Sequence, residues 1–139
     1  MTKAPLILAV LPALLLAACG DGGGGGEPRN VTSIRVENEH HDGLLALSEP
    51  MRNLALMRAI RDNGMRCRRV DKGAYQEDHL NMPMWVARCE DNREWQVFIA
   101  ATGDLQVRNC AEAAQLGLPE CRLDEAYERM EQPADGAAG

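Results

Sequence analysis

The sequence predicts an α+β domain in which a helix packs on a small antiparallel β-meander of about four strands, with short C-terminal helices and two disulfides. Three observations carry that expectation. Residues 48–63 read as a capped amphipathic helix, and apolar stretches between residues 83 and 109 alternate as strands do. Within the same region lie Cys67, Cys89, Cys110 and Cys121. The chain has 139 residues, 45% hydrophobic and 26% charged, with a formal net charge of −6. Six of its 13 glycines fall at residues 20–26, and an apolar block occupies residues 6–18. Set apart, these leave about 90 residues to fold, a size at which a single core is marginal without covalent help.

Taken in order, residues 30–41 hold Val31, Ile34 and Val36 in a short alternation that suits an added edge strand. Ser48-Glu49-Pro50 then signals a helix start: a cap, an acid at the positive end of the dipole, and a proline where no amide donor is required. Met51, Leu54, Met57 and Ile60, with Leu56 beside them, form its apolar face; Arg52, Arg58 and Arg61 are expected in water, and Gly64 ends the helix. Strands are expected at residues 65–70, 83–89, 95–101 and 105–109, the first two separated by a long connection, residues 71–82. Trp85, Ala87 and Cys89 share a face, as do Trp95, Val97 and Ile99, continued by Leu105 and Val107 across the Thr102-Gly103-Asp104 turn. A short helix at residues 111–116 stops at Gly117-Leu118-Pro119. Leu123, Ala126, Tyr127 and Met130 mark a final amphipathic helix, with Glu125 and Arg129 paired four residues apart, before a loose tail at residues 132–139.

The N-terminus carries an address. Lys3 precedes Leu6-Ile-Leu-Ala-Val-Leu-Pro-Ala-Leu-Leu-Leu-Ala-Ala18, an export signal. At ~1.5 Å per residue this block reaches ~20 Å as a helix, short of the ~30 Å hydrocarbon core. It ends in Leu16-Ala17-Ala18-Cys19, which resembles the lipobox of bacterial lipoproteins. The resemblance implies cleavage after residue 18, recognition through Leu16, Ala17 and Ala18, and diacylglyceryl attachment at Cys19. It also implies a cell-envelope location facing the periplasm. Gly20 rather than an acid follows the cysteine, which in enterobacterial lipoproteins favours the outer membrane over the inner. Residues 19–43, rich in glycine and without a strand and helix to make a phosphate loop, read as a flexible tether, and residues 44–131 as the folded domain.

With Cys19 assigned to lipid, four cysteines remain in an oxidising compartment, where disulfides are the natural use. Of three connectivities, Cys67 with Cys89 joins two strands and Cys110 with Cys121 closes the loop around the short helix. No Cys-x-x-Cys knuckle supports zinc, and no histidine is placed to activate a thiol, so neither metal nor cofactor is expected. His40-His41 with Glu37, Glu39 and Asp42 offers metal-ligand chemistry, yet an acidic stretch of this kind reads more simply as a solvated surface. His79 lies with Tyr75, Glu77 and Asp78 in the long connection, where binding residues often sit. Charge is unevenly spread. Arg52, Arg58, Arg61, Arg66, Arg68 and Arg69 face a single acid, Asp62, within residues 51–70. Glu112, Glu120, Asp124, Glu125, Glu128, Glu131 and Asp135 dominate residues 112–135. The two segments either neutralise each other or are ordinary solvated faces, or the first is a patch for an anionic lipid, glycan or acidic partner. An exported acidic chain with few aromatics is a poor partner for nucleic acid.

The cysteine-framed run Met84-Trp-Val-Ala-Arg-Cys89, Trp95-Gln-Val-Phe-Ile99 and Leu105-Gln-Val-Arg-Asn-Cys110 resembles small exported proteins of Gram-negative bacteria. It is also similar to the helix-on-meander units of PepSY-like and β-lactamase-inhibitor-like domains. The expected protein is a lipid-anchored, non-catalytic binding or interaction module whose partner is the membrane together with an envelope protein or an anionic glycan or lipid. The competing expectation is a periplasmic enzyme built around His79, Tyr75 and Asp78, or an inhibitor-like accessory protein with Tyr75 and Trp85 as exposed anchors.

Overall fold

A computed structural model describes residues 37–132. The lipobox residues Leu16, Ala17, Ala18 and Cys19, the glycine run and residues 133–139 lie outside them. Helix α1, Glu39–Ala46, starts at Asn38, whose side chain accepts from the His41 amide. The segment expected to end an extended tether at residue 43, and to hold an edge strand up to residue 41, is therefore helical from Glu39; residues 30–36 lie outside the described residues. Asn38 also donates to the Ile99 carbonyl at 3.0 Å, which fixes the helix start to the sheet.

Helix α2, Glu49–Asp62, follows the expected bounds, with Pro50 in its first turn and Gly64 just beyond its end at φ +80°. Ser48 caps through its backbone, its carbonyl accepting from the Arg52 amide at 2.9 Å, and makes no side-chain cap bond. The buried stripe is Arg52, Leu56 and Ile60, not the Met51 line; Met51 is 52% exposed. Positions four apart lie along one face, so a stripe through Leu56 and Ile60 draws Arg52 inward by its aliphatic stem.

The sheet is a meander in the order β1-β2-β3-β4, all neighbours antiparallel: β1 Val70–His79, β2 Met82–Cys89, β3 Glu94–Ile99 and β4 Leu105–Asn109. Residues 65–69 are not a strand, and the expected connection is β1 itself. Ten residues of β1 pair with eight of β2, and the surplus is taken up by irregularities at Asp71 and Gln76. A two-residue turn, Leu80-Asn81, closes the hairpin with both residues at positive φ (49° and 63°).

Both sheet faces are covered. On one, Leu56 and Ile60 of α2 pack with Trp85, Ala87, Cys89, Trp95, Val97, Ile99 and Val107, the face the alternation predicts. On the other, Ala74, Met84, Val86 and Phe98 meet Leu123 and Ala126 of α3, Leu123–Glu131. Gly73 is where α2 crosses β1: a Cβ there would lie 2.5 Å from Leu56 Cδ1. The segment expected as a short helix is two 3-10 turns, Cys110–Glu112 and Ala114–Leu116, ended by Gly117 at φ +65°. Cys67 is bonded to Cys89 and Cys110 to Cys121, the favoured connectivity. These elements lie in one compact unit.

Candidate functional site

The return from α2 to β1 is an irregular segment held by backbone hydrogen bonds, a disulfide and a carboxylate. Gly64 N–H bonds back to Arg61 O (2.9 Å) and Met65 N–H to Ile60 O (3.1 Å), folding the chain against the helix end. Cys67 is then tied to the end of β2 through Cys89. One residue on, the Glu90 carboxylate accepts the backbone N–H groups of both Arg68 and Arg69, each at 3.1 Å. Those amides, Arg69 first, hold the Glu90 carboxyl below its ordinary pKa.

A backbone fixed this way turns arginine side chains outward. Arg58, Arg61, Arg66 and Arg68 are exposed, and none forms an ion pair among the described residues. Arg61 donates to Met57 Sδ, and Arg58, Arg61 and Asp62 border a shallow hollow. Arg69 is tied to Asp71 at 2.6 Å, which raises its pKa. Among the described residues, the acidic C-terminal segment does not ion-pair with this cluster. Asp124 is held by Lys72 (2.9 Å) and Arg88 (3.3 Å), both on the sheet, and is lowered by them in pKa. No described ion pair joins residues 51–70 to residues 112–132.

Beside the cluster, α2 and residues 68–71 leave a groove of about 630 Å³. Met51, Leu54, Met57 and Val70 give it apolar walls, and Arg68 and Arg69 stand on its border. Of its acids, Asp71 is engaged by Arg69, and Glu49 accepts the Tyr127 hydroxyl at 2.8 Å. That bond, with burial and the same carboxylate's charge, pushes the Tyr127 phenol up to about 12. Arg68 therefore brings to the groove a cation with no ion pair among the described residues, while Glu49 keeps its charge beside the Tyr127 hydroxyl.

The other sequence candidates separate. His41 is 2% exposed and turned inward, where its Nδ1 accepts from Trp85 Nε1 at 3.2 Å and its ring packs 4.6 Å from Tyr75. His40 stays half-exposed beside Glu39, so the adjacent histidines point different ways rather than converging on an ion. The cysteine and acid group dense enough to suggest a metal, Cys67, Cys89 and Glu90, has both sulfurs in a disulfide and offers no thiolate. Tyr75 Oη donates to Asp78 at 2.9 Å, but the His79 ring packs on Phe98. Trp85 is fully buried and Tyr75 half-buried, so Trp85 is no exposed anchor. Glu125 contacts Arg122 at 4.0 Å instead of Arg129, which donates to the Gln76 carbonyl. Sequence reasoning misses the groove because its walls, Met51, Leu54 and Met57, read as core; the Leu56, Ile60 spacing is the signal that the buried stripe lies elsewhere. No helix among the described residues is long and apolar enough to cross a membrane.

Comparison with protein-family models, with curated proteins and with solved structures finds no match.

Proposed function

We propose that the chain is a lipid-anchored cell-envelope protein facing the periplasm, and that its folded domain is a non-catalytic binding module for an anionic envelope component. The observation that carries the binding half is the set of exposed arginines, Arg58, Arg61, Arg66 and Arg68, on a segment fixed by a disulfide, a carboxylate and a helix end yet without acidic partners in the described residues. Guanidinium groups suit planar anionic groups, whose oxygens they bind in pairs. The anchoring half rests on Leu16-Ala17-Ala18-Cys19, and two or three acyl chains hold a protein to a bilayer where one leaves it in exchange.

Palmitate labelling in a bacterial host tests the anchor: wild type incorporates label and Cys19→Ala does not, and equal labelling rejects it. Sedimentation with phosphatidylglycerol and phosphatidylcholine vesicles tests the module. The mature chain from Gly20 onward, without the signal block or Cys19, binds the anionic vesicles alone, and Arg58→Glu with Arg66→Glu abolishes binding; equal binding to both lipids overturns the reading.

A further inference from the structure

The groove adds to this reading an apolar slot that a simple charge patch has no use for. Its walls, Met51, Leu54, Met57 and Val70, run alongside the helix and end at Arg68, whose guanidinium has no ion pair among the described residues. A volume of about 630 Å³ lies within the range of small-molecule sites. Methionine walls adapt to flexible apolar ligands. The half-exposed Met51 leaves apolar surface uncovered at its side. Arg68 without an ion pair beside apolar walls thus suits one occupant, a single hydrocarbon chain bearing an anionic head held at the Arg68 end, away from the Glu49 carboxylate.

We propose that the groove between α2 and residues 68–71 binds a single-chain anionic amphiphile, its chain against Met51, Leu54 and Met57 and its phosphate or carboxylate head on Arg68. The proposal rests on the anionic-partner reading above and names its ligand class. Asp71 is occupied by Arg69 and Glu49 by Tyr127, so the acids on the groove's border are each engaged by a donor.

The test uses the mature chain from Gly20 onward, so that neither an acyl chain nor the apolar signal block competes, labelled at methionine methyl groups and titrated below micelle formation. With dodecyl phosphate, the Met51 and Met57 methyl resonances shift saturably, while Met84, buried on the opposite sheet face, stays in place. Shortening to decyl phosphate weakens binding about fifteenfold, at about fourfold per methylene. Dodecyl maltoside, with the same chain and no charge, binds at least tenfold more weakly, and Arg68→Ala brings dodecyl phosphate to the same level. Dodecanoate run alongside distinguishes a carboxylate head from a phosphate; saturable shifts with either support the proposal. Inorganic phosphate shifting the same methyls to saturation, indifference to chain length, or shifts that reach Met84 equally overturn it. Silent groove methyls in protein that still sediments with anionic vesicles reject the groove and keep the patch; loss of both rejects the parent reading as well.

Discussion

Arg52 shows how one side chain can be drawn inward by its neighbours. It is 5% exposed, its Nε has no hydrogen-bond partner, and its side chain makes no ion pair among the described residues. A buried Nε without a partner costs desolvation energy that the packing of the stem offsets. Arg52→Met keeps the stem and removes the charge, so the domain is expected to gain about 1 kcal/mol in denaturant unfolding. A loss of similar size would show that the guanidinium has a partner. Gln76 is the opposite case, a buried polar residue whose bonds are complete: its amide donates to Glu120 O (2.8 Å) and its carbonyl accepts from Arg122 N–H (2.7 Å). Gln96 donates to Pro119 O from β3, two strands away. The two glutamines hold the chain entering α3, a role no residue pattern announces because both partners are backbone groups distant in sequence.

At the scale of elements, β1 is the least self-evident strand and the one that most depends on its surroundings. Val-Asp-Lys-Gly-Ala-Tyr-Gln-Glu-Asp-His has neither apolar alternation nor much β-propensity. Pairing with β2 makes it a strand, as do α2 over Gly73 on one side and α3 over Ala74 on the other. The helix α2, strands β2 to β4 and both disulfide pairings are legible in the sequence because each has a local signature: a proline start and glycine stop, period-two alternation, and Cys89 and Cys110 at the ends of apolar alternations. β1 is not, since its irregularities at Asp71 and Gln76 break the alternation and its turn carries Leu80 where a glycine or asparagine would mark a hairpin. The groove is hidden for a related reason: a helix's methionine stripe reads as core until the strand that fails to cover it is placed. Leu80 is 77% exposed at φ +49°, a conformation its branched side chain disfavours. Replacing Leu80-Asn81 by Asn-Gly is expected to stabilise the hairpin by roughly 1 kcal/mol, raising the melting temperature by several degrees. An unchanged or lower melting temperature would argue that Leu80 packs in a way its exposure does not suggest.

Across the whole molecule, a four-stranded sheet with helices on both faces is held by two bridges that act on different layers. Cys67–Cys89 closes the edge where α2 turns into β1, and Cys110–Cys121 ties the end of β4 to the start of α3. With separations of 22 and 11 residues, each removes denatured-state freedom worth about 3 kcal/mol on the loop-entropy model, a large share for so small a domain. None of the four cysteines should alkylate without reductant, and reduction should lower the melting temperature sharply; labelling of the untreated protein would refute the pairing. Charge joins the same layers. Asp124 of α3 bridges Lys72 of β1 and Arg88 of β2, and Glu90 clamps the segment after α2. Both carboxyls have folded pKa values below their ordinary ones, Asp124 through the Lys72 and then the Arg88 hydrogen bond, Glu90 through the Arg69 amide. The unfolded chain therefore binds protons more readily, so their stabilisation is present above the unfolded carboxylate range of about 4 and is lost as pH falls through the lower folded values. Tyr127 works in the other direction: its pKa, raised to about 12, gives stability that is present below the unfolded value near 10 and lost as pH climbs through the folded one. Unfolding followed from pH 7 down to pH 2 should show stability declining below about pH 4, with a shallower decline in Asp124→Asn, and in Glu90→Gln, than in wild type. Wild-type slopes in both variants would mean that neither carboxyl couples the helices to the sheet.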